Sequence, residues 1–151
     1  MRTNFYGWSS GRKQTSAEWL YDALKRGEPI TLFDDFFFTP IYVVDFVERL
    51  QGLIERRHCG IVHLGGRDRV SKAAFGALMA EAAGLSMQHV RRGSINDAPL
   101  LASRPKDMSL DSGRFVSLTG LALPDCAASL SAFLRDRERP LSARGAAGGR
   151  R

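Results

Sequence analysis

The sequence predicts an α/β fold, a small lobe in which short strands are covered by about four helices. Apolar runs at 30–33 and 61–64 are each bounded by turn residues, which is typical of short buried strands. Segments with helical spacing of apolar residues alternate with these runs, and Gly27 and Gly84 stand where two of the helices would end. Alternation of strands and helices favours an α/β arrangement over an all-helical or all-strand fold.

The first half of the chain contains two of the predicted helices. Residues 1–6 have the composition of a short extended segment. Thr15 and Glu18 have the spacing of a capping box, which predicts a helix that continues to about Arg26. Apolar residues recur every three or four positions over 43–55, which predicts a second amphipathic helix with its apolar stripe in the core.

The second half predicts a helix from Ser71, a favourable N-cap, to Ala83. Residues 88–103 show no periodicity and are predicted to form a long loop, of the kind that often carries function. Asp111 is expected to cap a short helix, and Pro124 fits the first turn of a last helix.

Composition indicates one domain of a globular protein. The chain has 151 residues, of which 44% are hydrophobic and 25% charged. We expect a domain over 1–139 and a disordered basic tail over 140–151, where glycine, alanine and arginine dominate. No apolar run is long enough to cross a bilayer, and residues 1–30 lack the pattern of a secretory signal, so the expected location is the cytoplasm.

The net charge of +6 raises the question of nucleic-acid binding. Part of the excess comes from Arg144, Arg150 and Arg151 in the predicted tail. Aromatic residues do not interleave with basic ones, as they do in single-strand binding surfaces. We therefore do not expect nucleic acid to be a partner.

Short motifs do not assemble a catalytic centre. Gly65 and Gly66 follow a predicted strand, but no further glycine follows at the spacing of a dinucleotide-binding turn. Tyr21 and Lys25 formally match Y-x-x-x-K, yet Tyr21 also belongs to the apolar stripe of the first helix. The three histidines have no mutual spacing suited to a metal. The residues alone predict no catalytic, cofactor-binding or metal-binding side chain.

Two segments hold candidate binding residues. Arg104 precedes Pro105, which holds its backbone extended, and a guanidinium fixed in this way can clamp a phosphate. A surface arginine in a charged turn is the alternative, and these residues taken alone favour it. Three consecutive phenylalanines at 36–38 follow two acids and are expected to serve mainly as core and lid packing.

Four segments follow the order of motifs in a known family, namely R-T-N-F-Y-G-W at 2–8, 33–45 with T-P-I-Y-V-V-D, 60–72 with G-I-V-H-L-G-G, and R-P-K-D at 104–107 continuing to Ser112. Together they resemble the C-terminal part of extended short-chain dehydrogenase/reductases. The branch they resemble is the dTDP-4-dehydrorhamnose reductase-like sugar-nucleotide reductase/epimerase family. The resemblance extends to about residue 139.

The resemblance implies a lobe that binds a nucleotide sugar. In the family, residues after the strand near Asn4 touch the substrate, the loop before the helix at 43–55 lines the cleft, and an arginine at the position of Arg104 meets the diphosphate. The substrate-binding residues implied are therefore Asn4, Thr39 and Arg104, followed by Asp34 and Tyr42.

The same resemblance implies that part of the enzyme lies elsewhere. The family's NAD(P)-binding half, with its catalytic tyrosine and lysine, precedes the segment of Asn4, and Met1 stands at that point. We expect a truncated or split reductase that is not catalytic alone and holds no cofactor in this chain. A separate Rossmann-half polypeptide or a homo-oligomer would then complete it. The alternative is a non-catalytic protein-interaction or regulatory module derived from the same fold.

Overall fold

The computed structural model describes residues 1–9, 13–98 and 104–137, so the predicted tail at 140–151 lies outside the described residues. The strands are β1 Arg2–Thr3, β2 Phe5–Tyr6, β3 Ile30–Phe33, β4 Phe37–Phe38, β5 Ile41–Tyr42, β6 His63–Leu64, β7 Val70–Ser71 and β8 Val90–Gly93. The α-helices are α1 Ser16–Arg26, α2 Val43–Glu55, α3 Lys72–Ala83, α4 Gly113–Thr119 and α5 Cys126–Arg137. Short strands and helices alternate along the chain, which confirms the α/β fold class.

The strands pair over long distances along the chain. Parallel pairing joins β1 to β6, β2 to β5 and β3 to β8, whereas β4 and β7 are antiparallel. Parallel neighbours require crossover connections, and helices form most of them here. The first six residues are thereby placed beside the segments at 41–42 and 63–64.

Helix ends with local signals occur where the sequence predicts them. Thr15 and Glu18 form the complete capping box of α1, and Gly27 ends that helix with a left-handed backbone at φ 64°. The Ser71 hydroxyl accepts a hydrogen bond from the Ala74 amide at the start of α3.

Three predicted boundaries are wrong. The supposed loop at 88–103 contains β8, which pairs with β3, and a 3-10 turn at Ile95–Asp97. The cap position of α4 is Ser112, while Asp111 accepts from the Gly113 amide in the preceding turn. Helix α5 starts at Cys126, after Asp125 and not at Pro124.

The main core is aromatic and lies between α1, α3 and α5. Phe133 is fully buried and stacks on Trp8, with ring centroids 4.2 Å apart. Tyr6 meets Phe75 and Phe133 edge to face. Tyr21 is also buried here, and its hydroxyl accepts a hydrogen bond from Arg137, so the Y-x-x-x-K tyrosine has a structural role.

The apolar stripe of α2 is only partly covered, contrary to the prediction. Leu53 is buried, but Val47 and Ile54 are 55% and 66% exposed. Phe5, 59% exposed, lies beside Phe46 of α2, and Met1 lines a shallow cavity with Ile54. We call Met1, Phe5, Val47 and Ile54 the apolar surface. None of the helices in the described ranges is long and apolar enough to span a membrane.

Candidate functional site

Two adjoining cavities lie between α1, α3 and the segment around β4. The large cavity, about 540 Å³, has mostly apolar walls with Trp19, Phe33 and Arg104 among its lining residues. The small cavity, about 180 Å³, is lined on one side by Asn4, Phe5 and Met108. The two cavities share part of their walls, and the shared residues are Ser16, Phe36, Lys72 and Phe75.

The phenylalanine cluster forms part of these walls. Phe38 is buried and meets Phe75 edge to face at 5.4 Å, so it belongs to the core. Phe36 is only partly buried and borders both cavities. Its carbonyl accepts a hydrogen bond from the Lys72 amide at the start of α3, which fixes this wall.

Asn4 and Thr39 come together at the edge of the small cavity. The Asn4 side-chain amide donates to the Met108 carbonyl at 2.8 Å and lies 3.5 Å from the Thr39 hydroxyl. Thr39 is buried, and its hydroxyl oxygen accepts from the Leu110 amide. Asn4 therefore lines the small cavity, while Thr39 supports the 108–110 segment behind it.

Arg104 lines the large cavity, and the segment that carries it is held firmly. The Lys106 ammonium lies 2.7 Å from an Asp35 carboxylate oxygen, and the Lys106 carbonyl accepts from the Phe37 amide. Asp35 also accepts from the Ser94 hydroxyl and the Ile95 amide. These contacts, led by the one with Lys106, hold the pKa of the Asp35 carboxyl well below its usual range.

Like Thr39, the other two implied site residues, Asp34 and Tyr42, line neither cavity. Asp34 points to the surface, where its carboxylate is 3.6 Å from the Arg92 guanidinium. Tyr42 is buried in the core, and its hydroxyl donates to the Asp136 carboxylate at 2.7 Å. The geometry thus groups Asn4, Thr39 and Arg104 around the cavities and leaves Asp34 and Tyr42 apart from them.

Sequence reasoning missed Lys72, whose side chain lies at the wall shared by the two cavities. Its ammonium stands 3.8 Å from the centroid of the Phe38 ring and 5.6 Å from that of Phe36. Burial lowers the pKa of Lys72 to about 8. The sequence did contain a signal for Lys72. A cation in the first turn of a helix is unfavourable with the helix dipole, so its presence there indicates another role.

The glycine pair after β6 serves close packing. A Cβ added at Gly66 would lie 2.1 Å from the Pro40 carbonyl oxygen, and one at Gly65 would lie 2.4 Å from the Thr39 hydroxyl. The space over these glycines is therefore filled by residues 39–40 of the same chain. It does not fit the pyrophosphate of a dinucleotide. Among the described residues, no group of three His, Cys, Asp or Glu side chains could hold a metal ion.

We expect Asp35→Asn to lower the free energy of unfolding at pH 7, because it weakens the contact with Lys106. The folded-state pKa of Asp35 lies below the unfolded value of about 3.9, so its stabilisation is present above that pH and is lost as the pH falls further. The difference between wild type and variant should therefore shrink below about pH 4. Urea denaturation of both proteins at several pH values measures this difference in unfolding free energy. Asp34→Asn is the matched control, and an equal effect of both variants would contradict the prediction.

Structural comparison defines the class of the fold. A dTDP-4-dehydrorhamnose reductase from Bacillus anthracis in complex with NADP matches with a TM-score of 0.79 at 23% identity, over 89% of this chain and 47% of that chain. A hypothetical dTDP-4-dehydrorhamnose reductase from Sulfolobus tokodaii matches with 0.67 at 26% identity, over 83% and 44%. A dTDP-glucose 4,6-dehydratase from Bacillus anthracis in complex with NAD matches with 0.69 at 9% identity, over 91% and 44%. The fold is thus that of part of a Rossmann-type sugar-nucleotide reductase or epimerase, and the chain spans less than half of each of these structures.

The family follows from sequence. A family model described as the RmlD substrate binding domain matches residues 5–139, and the chain belongs to this family. Comparison with curated protein sequences finds no match. The resemblance predicted from the four segments is confirmed.

Proposed function

We propose that this chain binds a nucleotide sugar of the dTDP-4-dehydro-6-deoxysugar class, as the substrate lobe of an NAD(P)-dependent sugar-nucleotide reductase. The observation that carries the proposal is the pair of adjoining cavities, with Arg104 lining one and Asn4 the other. A nucleotide sugar likewise has two uncharged parts joined by a diphosphate.

The two cavities differ in the ligand group that each can take. The large cavity is within the usual size range of small-molecule sites, and walls such as Trp19 and Phe33 suit a flat base and a ribose. The small cavity has the Asn4 amide at its edge and suits a single sugar ring. The Arg104 guanidinium offers a planar fork to the phosphate oxygens.

Bound NAD(P) would supply the hydride in such a reductase. This chain's own residues bind and orient the sugar nucleotide, and the cofactor would lie on a cofactor-binding half, in the same polypeptide or in a separate one. We propose that this half docks on the apolar surface. Phe5 belongs to that surface and also lines the small cavity, so the docked half would cover the sugar end of the site.

A second candidate is a non-catalytic interaction module, since the exposed Val47 and Ile54 would also suit a protein partner. In that case the cavities would no longer bind a nucleotide sugar. Ligand binding by the full chain therefore separates the two candidates.

We expect amide resonances of the full chain to shift on titration with a dTDP-linked deoxysugar, and Arg104→Ala to weaken binding by about tenfold or more. The loss follows from removing a charge-assisted hydrogen bond to phosphate. Arg92→Ala, which removes an exposed arginine that pairs with Asp34, should leave affinity unchanged. A folded chain whose amide resonances do not shift on titration would contradict the proposal and favour the interaction module.

A further inference from the structure

We propose that Lys72 is a second phosphate-binding residue, which holds the diphosphate from the wall between the two cavities and makes the site selective for diphosphate-linked ligands. The inference rests on the proposed function and extends it to a residue outside the implied site set. It predicts that Lys72 does not contribute to the affinity for a neutral nucleoside, which fills only the large cavity.

The position of Lys72 fits this role. Lys72 borders both cavities and therefore stands at the wall where the two uncharged parts of a nucleotide sugar would be joined. Arg104 lines the large cavity as well. Two cations in the wall of one site match a linker that carries two negative charges.

Lys72 lacks a countercharge in the described part of the chain. The aromatic faces of Phe36 and Phe38 are its recorded partners, and no carboxylate there lies within 4.0 Å of its ammonium. A partly buried cation without an anion is costly, and an aromatic face compensates only part of that cost. A ligand phosphate would supply the missing charge.

Several other charged side chains near the cavities, among the described residues, already have partners. Arg69 stacks on Phe37 and pairs with Asp107 at 2.8 Å. Lys106 pairs with Asp35, as described above. On α1, the Glu18 carboxylate accepts hydrogen bonds from the backbone amides of Ser9 and Thr15.

In the described part of the chain, the remaining titratable group that lines the small cavity is the Tyr6 phenol. Burial raises its pKa above the usual range, so it stays uncharged at neutral pH. Within the described residues, Lys72 and Arg104 are therefore the cations in the cavity walls that form no ion pair.

Phosphate binding by Lys72 has a pH signature. An anion stabilises the protonated amine, so the pKa of Lys72 rises on binding from its value of about 8. Affinity should be constant below that pH and fall as the pH rises above it, by about tenfold between pH 7 and pH 9. An arginine at the same position stays charged throughout this range.

The test measures dissociation constants of the full chain for dTDP-glucose and for thymidine by amide NMR titration, between pH 6.5 and pH 9. We expect Lys72→Met to weaken dTDP-glucose binding by at least about tenfold at pH 7 and to leave thymidine binding unchanged. Lys72→Arg should retain most of the affinity for dTDP-glucose and lose its pH dependence. The profiles of wild type and Lys72→Arg decide the question even if Lys72→Met does not fold.

The outcomes separate the two proposals. Wild type that binds dTDP-glucose with a flat pH profile, equal to that of Lys72→Arg, overturns the role of Lys72 and leaves the proposed function standing. A folded wild type that binds neither ligand overturns the proposed function itself, and the role of Lys72 with it.

Discussion

Replacing Phe133 by alanine is expected to lower the free energy of unfolding by about 3–5 kcal/mol, a large part of the stability of a domain of this size. Phe133 is fully buried, stacks on Trp8 at 4.2 Å, and meets Tyr6 and Tyr42 edge to face at 5.5 and 5.8 Å. Three rings therefore lose a partner at once. The loss includes a cavity that these rigid side chains cannot easily fill.

The same substitution should also disturb the site. Helix α5 packs against α3, which begins at Lys72, and against β5, which follows Thr39. Chemical denaturation gives the stability, and Phe133→Leu, which keeps most of the volume, is the matched control with a smaller loss. Equal and small effects of both substitutions would show that Phe133 does not organise the core.

Helix boundaries were predictable where one or two residues carry the physical cause. The Thr15 hydroxyl and the Glu18 carboxylate satisfy backbone amides of their own first turn, whatever the rest of the molecule does. Gly27 and Gly84 end their helices with left-handed backbone at φ 64° for an equally local reason.

Elements that depend on partners far along the chain were not predictable. Strand β8 reads V-R-R-G, with no alternation of polar and apolar residues, and it exists because it pairs with β3 about sixty positions away in the chain. The partial exposure of α2 has the same origin. Its sequence predicts an apolar stripe but says nothing about whether another segment covers Val47 and Ile54.

The same distinction between predictable and unpredictable features applies to the residues of the candidate site. Asn4, Thr39 and Arg104 could be named from the family resemblance, because their segments follow the family's motifs. Asp35 could not be told from Asp34, because the sequence does not show which of two adjacent carboxylates in a turn faces the segments at 94–95 and 106. Asp35 contacts Ser94 and Lys106 and so holds the segment that carries Arg104, whereas Asp34 faces Arg92 at the surface.

Gly66→Ala is the second substitution with a large expected effect. The added Cβ would lie 2.1 Å from the Pro40 carbonyl oxygen, which is backbone and cannot rotate away as a side chain would. The 39–40 and 65–66 segments would have to separate, which breaks the hydrogen bond from the Gly66 amide to the Thr39 carbonyl. We expect a loss of about 3 kcal/mol or more in unfolding free energy, the upper end for overpacking.

Gly84→Ala is the matched control for this prediction. Gly84 has φ 64° and nothing within 4 Å of an added Cβ, so its substitution costs only the left-handed backbone, about 1–2 kcal/mol. Urea denaturation of the two variants compares steric contact with backbone strain directly. Because Thr39 supports the segment behind Asn4, we also expect Gly66→Ala to weaken nucleotide-sugar binding, whereas Gly84→Ala should not. A Gly66→Ala protein as stable as Gly84→Ala would mean that the two segments separate at little cost, and Thr39 would then not be held in place by the glycine pair.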